Sequence, residues 1–275
     1  MNKEFKLELA TLSSQNNKKA MINLLDEYLA GCDMSKVLTT GTNEYYATKF
    51  FYFLRDGGKI PFSVFTEGNS KLPFLSFSSC PGVTCPGAGD CLNYCYSYKA
   101  WRYPAAYFRQ VQNTLLMHNF KVIEKELKRV LNQRKFKTLN KIDFRLYVDG
   151  DFGSEKDLKN WMNLLSNIPK IKAYGYSKSL NLFLKVHDEG FKIPENYALN
   201  LSNGGKFDSL RQFMTDLYFV RGNFTAIKST KKEIRKQFKN KVFICPGKCG
   251  TCTNIGHACG NLDTFKGMEI VIPIH

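Results

Sequence analysis

The spacing of apolar positions changes along the chain. Residues 17–31 place Ala20, Met21, Leu24, Leu25, Tyr28 and Leu29 three and four apart, which predicts a helix ending at Gly31. Residues 43–66 carry two runs rich in Tyr, Phe, Thr and Val around Arg55-Asp-Gly-Gly-Lys59 and predict an antiparallel hairpin. From Leu72 onward short apolar runs alternate with helical stretches. The runs are Phe74–Ser78, Ile142–Val148, Ile171–Tyr176, Tyr197–Leu201, Leu217–Val220 and Val242–Ile244. Helices are expected between them at 102–133, 155–167, 180–189, 207–214 and 230–239, with Ser154 and Asp157 as a capping box. Six strands alternating with helices predict an α/β body, either a partial (βα)6-like barrel or an open parallel sheet. The tail Met268–Ile274 reads as an edge strand, where Pro273 can spare a ladder bond. Two units follow: residues 1–70, a helix with a hairpin, and residues 71–275, the α/β body.

The cysteines sharpen this picture. Eight of nine fall into two groups of four, Cys80, Cys85, Cys91 and Cys95, then Cys245, Cys249, Cys252 and Cys259. The ninth, Cys32, has no near partner and suits a small buried position. The N-terminus has no apolar stretch of signal type and no apolar run approaches a membrane span, so a cytoplasmic protein is expected. In a reducing compartment, closely spaced thiols read as metal ligands. Thiolates suit zinc or an iron–sulfur cluster. The simplest arrangement is two four-cysteine sites, although a centre sharing thiols from both groups is also open. His257 lies inside the second group and is either a ligand or a neighbour of one.

Loops at the carboxyl ends of parallel strands share one edge of a sheet, and chemistry gathers there. Cys80 and Cys245 each follow a predicted strand, so both cysteine loops are expected at that end. Asp149 and Asp151 flank Gly150 after the second strand, where they could bind a divalent ion or move a proton, or where Asp151 or Ser154 could cap the next helix. Lys178 leaves the third strand as a candidate partner for a phosphate or carboxylate. Tyr176, Ser202 and Asn203 line the same rim as candidate cofactor contacts, while Asn203-Gly-Gly also suits a turn.

Charge then points to a partner. The chain carries 40 basic and 24 acidic residues, a net +16 that favours a polyanion. Lys231, Arg235 and Lys239 form one stripe of the helix predicted at 230–239, and Lys228, Lys232 and Lys236 another. Beside the first cysteines, Tyr94, Tyr96, Tyr98, Trp101, Arg102, Tyr103, Tyr107, Phe108 and Arg109 interleave rings with cations, as single-stranded nucleic acid or an extruded base requires. The four histidines, His118, His187, His257 and His275, support no nucleophile–histidine order, and no Gly-rich phosphate loop is present.

The blocks Cys91-Leu-Asn-Tyr-Cys-Tyr-Ser, Phe144–Phe152, Trp161, Tyr174–Lys178 and the terminal cysteines resemble the gene product 88 domain proteins of phages and plasmids, over roughly residues 70–260. The resemblance implies a mobile-element origin and an intracellular role, and carries no reaction with it. Several blocks also resemble the partial barrel of radical S-adenosylmethionine enzymes. Cys245-x3-Cys249-x2-Cys252 has the spacing of their cluster triad, while Cys259 would close the open iron and the triad follows the last strand instead of the first. Three functions are therefore expected in competition. One is a cysteine–metal protein that binds or acts on nucleic acid. Another is an iron–sulfur enzyme using S-adenosylmethionine, or its degenerate relative. The last is a structural or regulatory protein that binds a host protein.

Overall fold

A computed structural model describes residues 1–239 and 242–273. Its centre is an open parallel sheet of seven strands: β1 Leu75–Ser76, β2 Ile142–Leu146, β3 Ile171–Ser177, β4 Tyr197–Ser202, β5 Val220–Ile227, β6 Val242–Ile244 and β7 Glu269–Pro273. The strand order is β1-β2-β3-β4-β5-β7-β6, and the sheet does not close into a barrel. Every pairing in it is parallel, with Phe144 opposite Ala173 and Tyr176 opposite Asn200.

The helices are α1 Lys3–Ser14, α2 Lys18–Ala30, α3 Met34–Leu38, α4 Asn43–Asp56, α5 Pro104–Leu116, α6 Phe120–Leu131, α7 Arg134–Lys137, α8 Glu155–Ser166, α9 Leu180–Asp188, α10 Arg211–Met214 and α11 Lys231–Gln237. Ser154 caps α8 as expected, but the reciprocal half of a capping box is missing, because Asp157 turns its carboxylate to Tyr147 and Gly153 instead. The predicted helix at 102–133 is split into α5 and α6 by a 3-10 turn at Met117–Asn119.

The strand expected at Leu217–Val220 begins only at Val220 and runs on to Ile227, and two further expectations fail. Residues 43–56 form α4, not the first arm of a hairpin. Tyr and Phe suggest strands by composition, yet Ala47, Phe50 and Phe51 bury one face at helical spacing, Thr42 caps the start, and Gly57 at φ 75° ends it. Packing has overridden β propensity. The tail is not at the edge of the sheet either: β7 runs between β5 and β6, and Ile270 and Val271 are fully buried. Pro273 is tolerated because it closes the strand; Ile274 and His275 lie outside the described residues.

Strand alternation divides the sheet into two faces. Ile142, Phe144 and Leu146 turn towards Trp161, Leu158 and Phe183 of α8 and α9 in the main core. This is the helix face. Asp143, Arg145, Tyr174, Tyr176 and Asn200 turn the other way, to the loop face, which the C-terminal segment covers with Cys259, Ala258 and Phe265. A separate apolar cluster joins the N-terminal helices to α5 through Leu9, Leu25, Phe50, Phe108 and Val111. Cys80 belongs to that cluster.

Candidate metal centre

The first cysteine loop is a strap across the carboxyl ends of the strands. Ser79 N–H donates to the Asp149 carbonyl (3.0 Å), Ala88 bridges to Gly205, and Cys91 N–H donates to the Gly204 carbonyl (3.2 Å). Its glycines permit the close approach. A Cβ on Gly87 would collide with the Lys178 carbonyl and the Ser179 amide, and one on Gly89 would press on the backbone of Gly204 and Gly205. Cys80 is buried beside Thr114 of α5, and burial pushes its thiol up to about 12; the same cause raises Cys85 to about 12. All four thiols neighbour the Tyr98 phenol, whose own pKa is raised by burial and then by those sulfurs.

The carboxylates beneath the strap are occupied. Asp151 accepts from Ser177 Oγ (2.7 Å) and from the amides of Phe152 (2.8 Å), Lys178 (2.8 Å) and Ser179 (3.2 Å). It stitches the end of β2 to the turn before α9, so its place in the fold is structural, and it caps that turn instead of the helix after it. Asp149 accepts from Gln110 Nε2 (3.0 Å), which is fixed in turn by Trp101 Nε1 (2.8 Å). Burial raises both carboxyls, opposed for Asp149 by Ser97, Arg145, Ser78 and Gln110 and for Asp151 by its donors. Lys178 Nζ donates to Ser202 Oγ (2.8 Å), which brings those two candidates together. Asn203 instead pins β5 through Ala226, its amide oxygen accepting from that N–H at 2.8 Å.

The second cysteine loop starts at the carboxyl end of β6 but does not stay there. It folds back over the loop face until Cys249 N–H donates to the Lys71 carbonyl (2.9 Å), ahead of β1. The two loops therefore do not share one rim, because the polar loop face needs a cover and this segment supplies it. Cys245, Cys252 and Cys259 pack there with Tyr176, Phe224 and Phe265. Two sulfurs already accept backbone amides, Cys245 from Gly247 and Cys252 from Ala258, both at 3.4 Å. His257 is clamped between the Phe74 and Tyr174 rings, with Nδ1 accepting from Gly260 N–H (3.1 Å) and Nε2 facing Asp143 (3.4 Å). Neither ring nitrogen is left for a metal. Among the described residues, no three His, Cys, Asp or Glu side chains stand close enough together to hold an ion.

Two arginines give this face its electrostatics. Arg221 is fully buried and occupies a β-bulge: Leu199 pairs with Val220 and Asn200 with Gly222, leaving Arg221 as the extra residue. Gly222 permits the bulge at φ 144°. Arg221 Nε donates to Asn200 Oδ1 (2.8 Å) and Nη2 to the Asn223 carbonyl (2.7 Å), while Nη1 reaches the Phe265 and Met268 carbonyls. Those acceptors are neutral, and the acidic groups that bear on Arg221 are Cys259, Tyr176 and Glu269; burial pushes the Cys259 thiol up to about 12, with Tyr176 and Arg221 pulling it down. Asn200 also donates to the Cys259 carbonyl (2.9 Å), so bulge, strand and cysteine loop are one network. Arg145 lies over the Tyr176 ring at 4.8 Å with Cys249 nearby, and its buried Nε has no acceptor.

Sequence reasoning missed Arg221 as a site residue. An arginine followed by glycine inside a strand-like run is the available signal, since glycine there marks a bulge. The aromatic segment divides as its two roles require. Trp101, Tyr107 and Phe108 are buried, whereas Tyr94, Tyr96, Arg102 and Tyr103 remain exposed. No helix is long and apolar enough to cross a membrane among the described residues. The family model described as gene product 88 matches residues 57–260, which takes in β1 to β6 and both cysteine loops and stops short of β7. No curated protein and no solved structure matches the chain.

Proposed function

The chain belongs to the gene product 88 family, and we propose that it is a cysteine–metal protein that binds nucleic acid, with the metal held by Cys245, Cys249, Cys252 and Cys259 on the loop face. One observation carries the metal: a bulge turns the fully buried Arg221 towards Cys259 with only neutral hydrogen-bond acceptors around it. A buried cation needs a nearby negative charge. Four thiolates around a divalent ion or a [4Fe–4S] cluster leave net negative charge, and amide donors to sulfur are the usual support of such centres. The donor set fits either group. Binding would draw the four thiols together and fasten the loop to the sheet, so metal affinity becomes loop stability. With Cys259 in the set no open position is left, and S-adenosylmethionine has no place in this reading.

Nucleic-acid binding is supported by the surface. Lys231, Lys232, Arg235 and Lys236 of α11 are exposed around the single buried Ile234. Tyr94, Tyr96 and Tyr103 are exposed beside Lys99 and Arg102. Cations with free rings suit a single strand.

Limited proteolysis with and without a strong chelator tests the metal. Chelation is expected to open residues 245–260 to cleavage while 80–95 stays protected; an unchanged pattern contradicts the reading. Retention of a single-stranded oligonucleotide should fall linearly in log–log form with salt, and Lys231→Glu with Arg235→Glu should flatten that slope. Absence of retention at low salt removes the nucleic-acid half.

A further inference from the structure

On the helix face of the sheet, bounded by α10, β5, β7 and the end of α11, lies a cavity of about 620 Å³. Neither the metal nor the core accounts for its polar floor. Asn223 of β5 pairs with Leu201 of the main core, so Asn223 and Thr225, two residues on, turn to the helix face, where Glu269 of β7 also lines the cavity. Arg211 of α10 completes the floor. Its Nη2 donates to Thr225 Oγ1 (3.0 Å) and lies 3.8 Å from the Glu269 carboxylate, to which Thr225 donates in turn. Phe238, half-buried just after α11, supplies a ring, and the exposed Ser209 and Gln212 stand at the mouth.

This lining has hydrogen bonds both to give and to take. Among the described residues, Arg211 Nε has no acceptor and Asn223 Oδ1 no donor, although both atoms are buried. Unmet polar groups are costly, and a ligand edge with an acceptor beside a donor would satisfy both. A phosphate is the wrong occupant, because Glu269 repels it and already neutralises Arg211. A neutral heterocycle with an amino group beside a ring nitrogen or carbonyl fits, its face against Phe238. Adenine, cytosine and guanine have such an edge, whereas thymine and uracil have no amino group. The volume is that of an ordinary small-ligand site. The residues leading up to Phe238 include the exposed Arg235 and Lys236 of α11, which suit the phosphates on either side of such a base.

We propose that this cavity takes up one amino-bearing nucleobase, read by Arg211, Asn223 and Glu269 and stacked on Phe238, with the neighbouring phosphates on α11. The inference rests on the nucleic-acid reading above and deepens it by naming a place and a class of base. The base belongs either to a strand or to a free nucleoside, and separate titrations distinguish the two.

The test is titration of the full chain with single-stranded oligomers of deoxyadenosine, deoxycytidine and thymidine, equal in length and at one salt concentration. Adenosine, cytidine, guanosine and uridine are titrated beside them by calorimetry. At least one amino-bearing oligomer is expected to bind about tenfold more tightly than the thymidine oligomer, the worth of one base read and stacked. Phe238→Ala should weaken that oligomer by about tenfold and leave the slope of affinity against salt unchanged, since α11 keeps its cations. Glu269→Gln, which turns an acceptor into a donor, should erase the preference for amino groups while binding persists; a preference that survives it reports stacking strength alone and overturns the assignment. Circular dichroism and melting temperature matching the parent keep misfolding out of the comparison. Equal affinities for all oligomers, insensitive to Phe238→Ala, overturn the cavity proposal while the nucleic-acid reading survives. If no oligomer is retained at low salt, the nucleic-acid reading fails and the nucleosides decide the cavity. Saturable binding of an amino-bearing nucleoside, lost in Phe238→Ala, upholds it, and no binding overturns it.

Discussion

The two cysteine loops look alike in sequence and are held in opposite ways. The strap at 80–95 is fastened by backbone: amides and carbonyls pair with Asp149 and Gly204, and Gly87 and Gly89 admit strand ends at close range. The loop at 245–259 has, among the described residues, backbone bonds to the rest of the chain only near its start, from Cys245 to Val271 and from Cys249 to Lys71, and beyond them is held by side chains: Asn200, braced by Arg221, reaches the Cys259 carbonyl, and His257 wedges between two rings. Backbone contacts need no cofactor. A side-chain floor carrying a buried arginine whose hydrogen-bond acceptors are all neutral leaves electrostatic work for something else, which is why the metal is assigned to the second loop and not to both.

Substitutions at matched Pro-Gly turns give the sharpest break. Gly87→Ala sets a methyl against the backbone of Lys178 and Ser179, and neither can yield. A loss above about 3 kcal/mol, read as a collapsed melting temperature or insoluble protein, is expected. At the other end of the scale, Gly247→Ala meets no atom within 4 Å and pays only for φ 82°, about 1 kcal/mol. If the two variants cost the same, the strap is not fastened by its backbone.

Between these limits, pH should act on the strap's side. Asp157 is buried in the first turn of α8, beyond the end of β2 that the strap is tied to, accepting from Tyr147 (2.6 Å) and from Gly153 N–H (3.2 Å), and burial raises its carboxyl to about 7. A carboxyl whose folded pKa lies above its unfolded one favours the folded state at low pH. That contribution is full below about pH 4 and fades as pH rises through about 7, by at most about 4 kcal/mol. Denaturant titrations from pH 4 to 7.5 should show this falling component, and Asp157→Asn should remove it. A slope that is unchanged in Asp157→Asn assigns the effect to another group.

Asn200→Ala probes the second loop. It removes the acceptor of the buried Arg221 Nε and the donor to the Cys259 carbonyl, which should cost about 2–3 kcal/mol in apoprotein. Metal should recover part of that loss, because it fastens the loop independently. Equal losses with and without metal would mean that the two do not act on the same segment.

Much of this was legible beforehand. The strands at 142–146, 171–177 and 197–202 were visible because both faces of a parallel strand are covered, giving compact apolar runs between helical patterns. The hairpin expectation follows from aromatic composition, whereas spacing decides the outcome: α4 buries Phe50 and Phe51 as a helix does. The place of β7 could not be read at all: strand order is a tertiary property, and nothing local in Glu269–Pro273 distinguishes an edge strand from an inserted one. The cysteine groups were visible as spacing. That one crosses strand ends while the other covers a face depends on Arg221 and Asn200, which meet the second loop from distant strands, and on Phe74 and Tyr174, which clamp its His257.

Where the metal resides is the central claim, and elemental analysis with a visible spectrum, on protein purified without oxygen, reads it directly. The parent protein should hold one centre, either a single zinc or iron with acid-labile sulfide and absorption near 400 nm, about four atoms each. Cys249→Ser with Cys252→Ser should abolish it, and Cys91→Ser should leave it intact. Metal that disappears with Cys91 and survives the loss of Cys249 and Cys252, or a parent protein that carries none, would contradict the account.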